Sequence, residues 1–332
     1  MIKFHPITPN TDEWHTFRLN GVGASEAATV CGINEYDSAV RLFHEKVGTQ
    51  KSNFTGNERT FWGSFMEPII LDMWQYWDGK DFITNYNLKN VVRTHKIPNG
   101  VYVNTDYPWL FYTPDALINA GQLDIYGNPL DQDCPLECKC IDKLAFQSYG
   151  GLPRHYLYQI HQEMLVMDVQ YAEFVYHVGG NEFKVQGVEL DMDIATEILE
   201  KTYIFWNKRV LPARDQPIEV VQQLEPEADG TDGYTDFQKE RFQKRNDMIK
   251  GTDEMYKRLV MREYLLGYIA LLDEQATKIK NEVLRLHVHE GVYKIDFGVK
   301  GKSTKTSRHV ISIKDKPKKE VLINNLLELK LW

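Results

Sequence analysis

"TPDAL" at residues 113–117 and "PLECKC" at residues 135–140 stand close together in the chain, and their reading decides the fold. Alternation over the second stretch predicts a strand, because side chains of an extended chain point to opposite faces in turn. Glu137 and Lys139 then share one face, while Leu136, Cys138 and Cys140 share the other, where apolar character suits a core. Asp115 follows a Thr-Pro turn and falls at an end of the neighbouring strand. Two carboxylates and a lysine can thus converge at one end of a hairpin. Magnesium takes hard carboxylate oxygens, one or two at a time, and keeps several waters. A neighbouring ammonium can orient a water or meet charge developing on a phosphate. A solvated cross-strand ion pair fits the same tripeptide, and the spacing alone leaves both readings open.

At 332 residues the chain exceeds a typical single domain, so one large domain with an appendage is expected. Hydrophobic residues at 42%, with 12% aromatics, suffice for a sizeable core. The net charge of −8 gives no chain-wide basic footprint, so any contact to nucleic acid must come from local patches. No run approaches the roughly 18 apolar residues of a membrane span. "MIKFHPITPN" lacks the apolar centre of a secretory signal. A soluble globular protein without a membrane role is expected. Cys31, Cys134, Cys138 and Cys140 form neither a disulfide framework nor the usual paired spacing of zinc or iron–sulfur ligands, which suits a reducing cytoplasm.

Residues 1–212 alternate helical and strand patterns and are predicted to form an α/β domain, a mixed central sheet flanked by helices. "ASEAATVCG" reads as a short helix with Ser25 as N-cap and Gly32 as stop. "SFMEPIILDMWQYWDG" reads as a helix burying Phe65, Met66, Ile69, Ile70, Met73, Trp74 and Trp77, with Pro68 in its first turn. Glu67 lies toward that apolar face, where a carboxylate is costly without a partner. "AEFVYHVG" and "EFKVQGVEL" read as paired strands, and "PRHYLYQIHQEMLVMD" and "DIATEILEKTYIFWNKRV" as helices. Residues 213–233, acidic and aperiodic, read as a linker. Residues 234–332 read as an accessory region, helical with a break at Gly251-Thr252 and ending in two short strands around a polar loop. From Lys294 through Lys300, Lys302, Lys305, Arg308, Lys314, Lys316 and Lys318 to Lys319 that hairpin is basic. It reads as an accessory contact to DNA or a partner, or else as an edge guarded by lysines.

Five motifs, in order across residues 14–206, resemble the phage recombination exonucleases of the lambda-exonuclease/YqaJ type, within the PD-(D/E)XK nuclease superfamily. Trp14, Arg18 and Ser25-Glu26 in "WHTFRLNGVGASEAA" are similar to its N-terminal signature. "WGSFMEP" is similar to its acidic helix motif, and "TPDAL" with "LECKC" to its metal core. "HYLYQIHQEM" is similar to its Tyr–Gln helix, and "VGGNEFKV" to a strand pair of such proteins. A cysteine follows Lys139 where these proteins more often carry another residue, and residues 213–332 lie beyond the resemblance.

The resemblance implies a restriction-endonuclease-like core with a C-terminal helical and hairpin extension. It implies that Asp115 and Glu137, with the backbone carbonyl of Cys138, hold Mg²⁺, for which Mn²⁺ can substitute. Lys139 would position the attacking water, Glu67 would sit near the metal, and Gln159 would orient Lys139 or the water. Arg18 and Ser25 would hold a DNA phosphate, Arg18 gripping a terminal 5′-phosphate through its planar fork. The implied activity is 5′-to-3′ exonuclease digestion of linear duplex DNA in recombination by single-strand annealing. The implied partners are DNA ends, an annealing protein and two further copies in a ring-like homotrimer, in the cytoplasm of a host. A related endonuclease stays open. So does a non-cleaving DNA-binding protein of the same fold, against which the intact Asp115, Glu137 and Lys139 set argues.

Overall fold

The structure, a computed structural model, describes residues 1–50, 56–80, 82–241, 250–290, 294–296, 301–305 and 309–313. It divides into two compact units, Met1–Gln243 and Lys244–Trp332. The first unit opens with β1 (Ile2–His5), α1 (Asp12–Arg18), β2 (Val22–Gly23), a 3-10 turn (Ala24–Glu26), α2 (Ala27–Val30) and α3 (Ala39–Val47). It continues through α4 (Glu58–Trp74), α5 (Phe82–Leu88), β3 (His95–Lys96), β4 (Val101–Asn104), β5 (Leu110–Tyr112), β6 (Ala116–Ile118), β7 (Cys134–Ile141), α6 (Lys143–Ser148) and α7 (Arg154–Met167). It closes with β8 (Tyr171–Val178), β9 (Glu182–Glu189), α8 (Met192–Tyr203), a π-helical stretch (Ile204–Val210), α9 (Leu211–Ala213), α10 (Ile218–Leu224) and α11 (Asp232–Arg241).

The α/β class holds, and the strands of the first unit divide between two mixed sheets flanked by helices. One has the order β3-β6-β7-β8-β9 and the other β1-β4-β5-β2. β7 runs antiparallel to β6 and parallel to β8. A parallel step needs a long crossover, which α6 and α7 supply. α7 packs on β4 and β5 of one sheet and on β7 of the other, so Ile160 through Met167 are all buried. Gln162 Nε2 ties this helix to the smaller sheet through the carbonyls of Val22, at 2.8 Å, and Phe111, at 3.3 Å. α4 packs on β7 and β8. β7 therefore runs between two helices that each carry acids toward it.

Several local expectations are corrected. α4 begins ten residues before Pro68, because Asn57 supplies the cap, its side chain accepting from Thr60 N at 3.1 Å. Pro68 is interior, and the hydrogen bond it cannot donate is cheap to lose where Ser64, four residues back, is exposed to water. Ile70, Leu71 and Trp74 form the buried face, while Phe65 and Ile69 are exposed, Phe65 in a surface ring cluster with Phe61 and Trp62. Ser25 is not an N-cap. It lies inside the 3-10 turn, which Gly23 caps, with Glu26 reaching back to the Gly23 N–H. Cys140 is exposed, since β7 has nearly run out of cover there.

Residues 213–233 were expected as a linker, but they carry α10 and belong to the first unit, which reaches residue 243. Val221 and Phe237 are fully buried, Glu225 pairs with His44 at 2.6 Å, and Asp229 accepts from Ser38 at 2.7 Å. In the second unit α12 (Asp253–Glu290) starts just after the expected break, and β10 (Lys294–Asp296), β11 (Gly301–Lys305) and β12 (His309–Ile313) form a three-stranded antiparallel sheet. Lys294, Lys302 and Lys305 lie in these strands, whereas Lys300, Arg308, Lys314, Lys316, Lys318 and Lys319 lie outside the described residues. Among the described residues no helix is long and apolar enough to cross a membrane.

Candidate active site

The antiparallel ladder pairs Ala116 with Leu136. Continued by one residue, it sets Asp115 opposite Glu137, and the Cys138 N–H donates to Asp115 Oδ2 at 2.9 Å. Period-2 alternation puts Glu137 and Lys139 on the same face of β7, and the Lys139 ammonium donates to Glu137 Oε1. Gln159 of α7 donates to the same oxygen and, at 3.0 Å, to Glu163 Oε1 one turn further on. The Tyr156 ring lies 5.0 Å from Lys139 Nζ.

These groups open onto one cavity of about 550 Å³. Arg18, Ser25, Glu67, Asp115, Glu137, Lys139 and Gln159 all line it, so seven of the eight residues singled out from the sequence meet in one place. The eighth, Cys138, turns its thiol into the core, while its N–H faces Asp115. In an extended strand the N–H and C=O of one residue point to the same edge. The Cys138 carbonyl therefore also faces the edge where Asp115 sits.

The electrostatics are those of crowded acids. Glu67, Asp115, Glu137 and Glu163 line the cavity against the cations Lys139 and Arg18. Burial, then the charge of Glu137, pushes the Asp115 carboxyl well above the usual range. The same two causes raise Glu163 well above it, and raise Glu67 as well. Burial alone would lower the Lys139 ammonium, but Glu137 and Asp115 outweigh it and hold the group above its ordinary value. Glu163 Oε2 and the Tyr112 hydroxyl are buried with no hydrogen-bond partner among the described residues. The cavity thus suits a further positive charge. Among the described residues no three His, Cys, Asp or Glu side chains stand preassembled as an ion cage.

Toward α1, Arg18 Nη2 donates to Glu26 at 2.6 Å, and its guanidinium lies 4.7 Å from the Trp14 ring centre. Ser25 is exposed on the cavity wall. A Cβ at Gly21 would stand 2.6 Å from the Trp109 carbonyl oxygen, and one at Gly23 would stand 2.9 Å from the Phe111 ring. These glycines serve close packing against β5 and its approach. Sequence reasoning gave no role to Glu163, Glu26 or Lys46. Glu163 was detectable, four residues after Gln159 on one helix face. Lys46 was not, because nothing local links α3 to α1.

Residues 13–170 match the YqaJ-like viral recombinase domain family. The chain is 24% identical over 280 residues to the uncharacterized protein YqaJ of Bacillus subtilis (strain 168), covering 82% of this chain and 76% of that protein. An alkaline exonuclease (LHK-Exo) from Laribacter hongkongensis superposes with a TM-score of 0.44 at 18% identity, over 64% of this chain and 97% of that one. A phage related exonuclease from Haemophilus somnus 129PT superposes with a TM-score of 0.35 at 12% identity, over 58% and 96%. Four of the five motifs that resemble the YqaJ type lie within the stretch that matches this family model, and the fifth, "VGGNEFKV" at residues 178–185, lies just beyond it.

Proposed function

We propose that the chain is a metal-dependent deoxyribonuclease, a 5′-to-3′ exonuclease on linear double-stranded DNA acting in phage-type recombination by single-strand annealing. The observation that carries this reading is the single cavity in which Asp115, Glu137, Lys139 and Gln159 meet Arg18 and Ser25. A phosphodiester-cleaving group and an anion-holding group on one wall suit an enzyme that starts from a phosphorylated end.

Asp115 and Glu137, with the Cys138 carbonyl, would hold Mg²⁺, or Mn²⁺ in its place. This set is small enough for an ion that keeps most of its waters. The bound ion supplies a Lewis acid for the scissile phosphate and eases ionisation of a water. Lys139, held protonated by its acidic neighbours, donates a hydrogen bond to the attacking water and to the charge that builds on phosphorus. Gln159 fixes Glu137 and, through it, Lys139. Glu67 adds a half-buried carboxylate for a water shell or a second ion. The Arg18 guanidinium shows one hydrogen bond among the described residues, from Nη2, so its other donors can take a terminal phosphate, with Ser25 beside it.

DNA ends, a single-strand annealing protein and two further copies in a ring are the partners this reading implies, in a host cytoplasm. The test is digestion of linear duplex with 5′-phosphate or 5′-hydroxyl ends beside covalently closed circles, with Mg²⁺ present. Linear phosphorylated duplex is expected to disappear fastest and circles to persist. Rapid cutting of circles would turn the reading to an endonuclease, and no cutting of any substrate to a DNA-binding protein without catalysis.

A further inference from the structure

Behind the cavity wall lies a second polar network that the proposed chemistry does not use. Glu26 accepts from Arg18 Nη2 at 2.6 Å, from Lys46 Nζ at 2.7 Å and from the Gly23 N–H at 2.8 Å. Lys46 comes from α3, and its side chain is only 2% exposed. Its ammonium also donates to the carbonyl of Arg18 itself, at 2.6 Å. That carbonyl belongs to the last turn of α1, where helical geometry leaves carbonyls without partners. Lys46 thus holds Arg18 at both ends, by its main chain directly and by its guanidinium through Glu26. Arg214 completes the frame by donating to the carbonyls of Leu19 and Lys46. On the other side Arg18 lies over Trp14, whose Nε1 donates at 3.1 Å to Thr113, two residues before Asp115.

A buried ammonium is costly, so its place needs a reason. Charge supplies one. An Arg18–Glu26 pair alone sums to zero, and such an arginine offers little field to an anion. With Lys46 the trio sums to +1. Burial pushes the Glu26 carboxyl up, yet Lys46 and Arg18 outweigh it and keep the group ionised below its usual range. Lys46 does not line the cavity, so it acts through Arg18.

We propose that Lys46 and Glu26 are positioning residues that fix the Arg18 guanidinium and leave one net positive charge at the cavity wall, setting the preference for a 5′-terminal phosphate. This rests on the end-recognition reading given above.

Charge arithmetic gives the test, run on the full chain with matched 5′-phosphate and 5′-hydroxyl duplexes. K46M leaves a trio of zero charge and is expected to lower kcat/KM on phosphorylated ends about tenfold, the scale of one weakened charge-assisted hydrogen bond, with at most about a twofold loss on hydroxyl ends. K46M/E26Q restores +1, since glutamine still accepts from Arg18, and is expected to regain most of the preference. E26Q alone gives +2 and should prefer phosphorylated ends at least as strongly as the parent. Thermal melts report folding, and if K46M does not fold, E26Q and the double variant carry the comparison. A purely structural lysine predicts the double variant to be no better than K46M, and that result overturns the proposal, as does a folded K46M with the parent's preference. If the parent shows no preference, end recognition fails by itself. Calorimetric binding of inorganic phosphate then decides the positioning role. Affinity that falls in K46M and returns in K46M/E26Q sustains it, and equal affinity in all three proteins overturns it.

Discussion

Glu163 stands one turn beyond Gln159 on α7 and accepts its amide at 3.0 Å, while its second oxygen is buried with no partner among the described residues. Burial and the neighbouring Glu137 hold its carboxyl well above the ordinary range. The unfolded chain releases this proton near pH 4, and the folded chain keeps it to higher pH. Between those two values the folded state binds more protons, so stability falls as pH rises through the window. Below about pH 4 the penalty is absent. Glu163→Gln removes the ionisation and keeps an acceptor for Gln159. Its melting temperature is expected to match the parent near pH 4 and to exceed it at neutral pH by a few degrees, the scale of about 1 kcal/mol in such a domain. Mg²⁺ should narrow the gap by stabilising the parent. A gain that is flat with pH would remove Glu163 from the strained acid cluster.

If the cavity holds Mg²⁺ as proposed, ion binding is separable from cleavage. Asp115→Asn and Glu137→Gln are expected to lower cleavage by at least about 10²-fold and to abolish the rise in melting temperature that Mg²⁺ gives by binding only the folded state. Lys139→Met is expected to be equally inactive but to keep that rise, because an ammonium is no ligand. Ca²⁺ should support DNA binding without cutting, since its looser geometry places the water poorly. Because Lys139 stays protonated, the alkaline limb of the rate profile should not move in Lys139→Arg, if that variant retains measurable activity. A Lys139→Met protein without the Mg²⁺ effect would reassign the lysine to the ion site.

What the sequence disclosed follows the range of the forces involved. The Glu137–Lys139 face came from strand period, and the β8–β9 hairpin and α7 from local pattern, all set by neighbours in the chain. Glu67 was legible because an acid near an apolar helix face demands a partner. The start of α4 was misread because Pro68 suggested a first turn, while the true cap, Asn57, lay further upstream. Residues 213–233 looked like a linker because their acids lack periodicity. Yet Glu225 meets His44 and Arg241, and Asp229 meets Ser38, partners mostly far away in sequence. Lys46 was invisible for the same reason.

That correction has a consequence for truncation. A chain ended at residue 212 loses Arg214, Val221 and Phe237 and leaves buried His44 without Glu225. It is expected to aggregate or to melt without a cooperative transition. A chain ended at residue 243 keeps the whole first unit and is expected to melt in one step and still cut linear duplex. Phe237→Ala, which empties a fully buried ring site, should cost about 3–5 kcal/mol in denaturant unfolding. A stable, active 1–212 fragment would restore the linker reading.

The last prediction concerns the buried charges beneath α4. Arg93 grips Glu173 with two hydrogen bonds, of 2.8 and 2.7 Å, and also donates to the Leu123 carbonyl at 2.9 Å. Glu173, fully buried in β8, further accepts from Trp74 Nε1 at 3.0 Å and from the Tyr171 hydroxyl at 2.9 Å. Every lone pair this carboxylate needs in the interior is thereby supplied, and Trp74 anchors the helix that carries Glu67. Arg93→Met strands a buried negative charge and is expected to cost about 3–5 kcal/mol. Glu173→Gln keeps two acceptor lone pairs and should cost less. Arg93→Met combined with Glu173→Met removes both charges and should recover a large part of the loss, because dry packing can replace a desolvated ion pair. Denaturant unfolding of the parent, Arg93→Met, Glu173→Met and the double variant forms a double-mutant cycle. Additive losses would mean that the pair is not coupled. If it is coupled as described, Arg93→Met should also lower cleavage in proportion to the folded fraction and no further, since neither residue lines the cavity that holds Asp115 and Glu137.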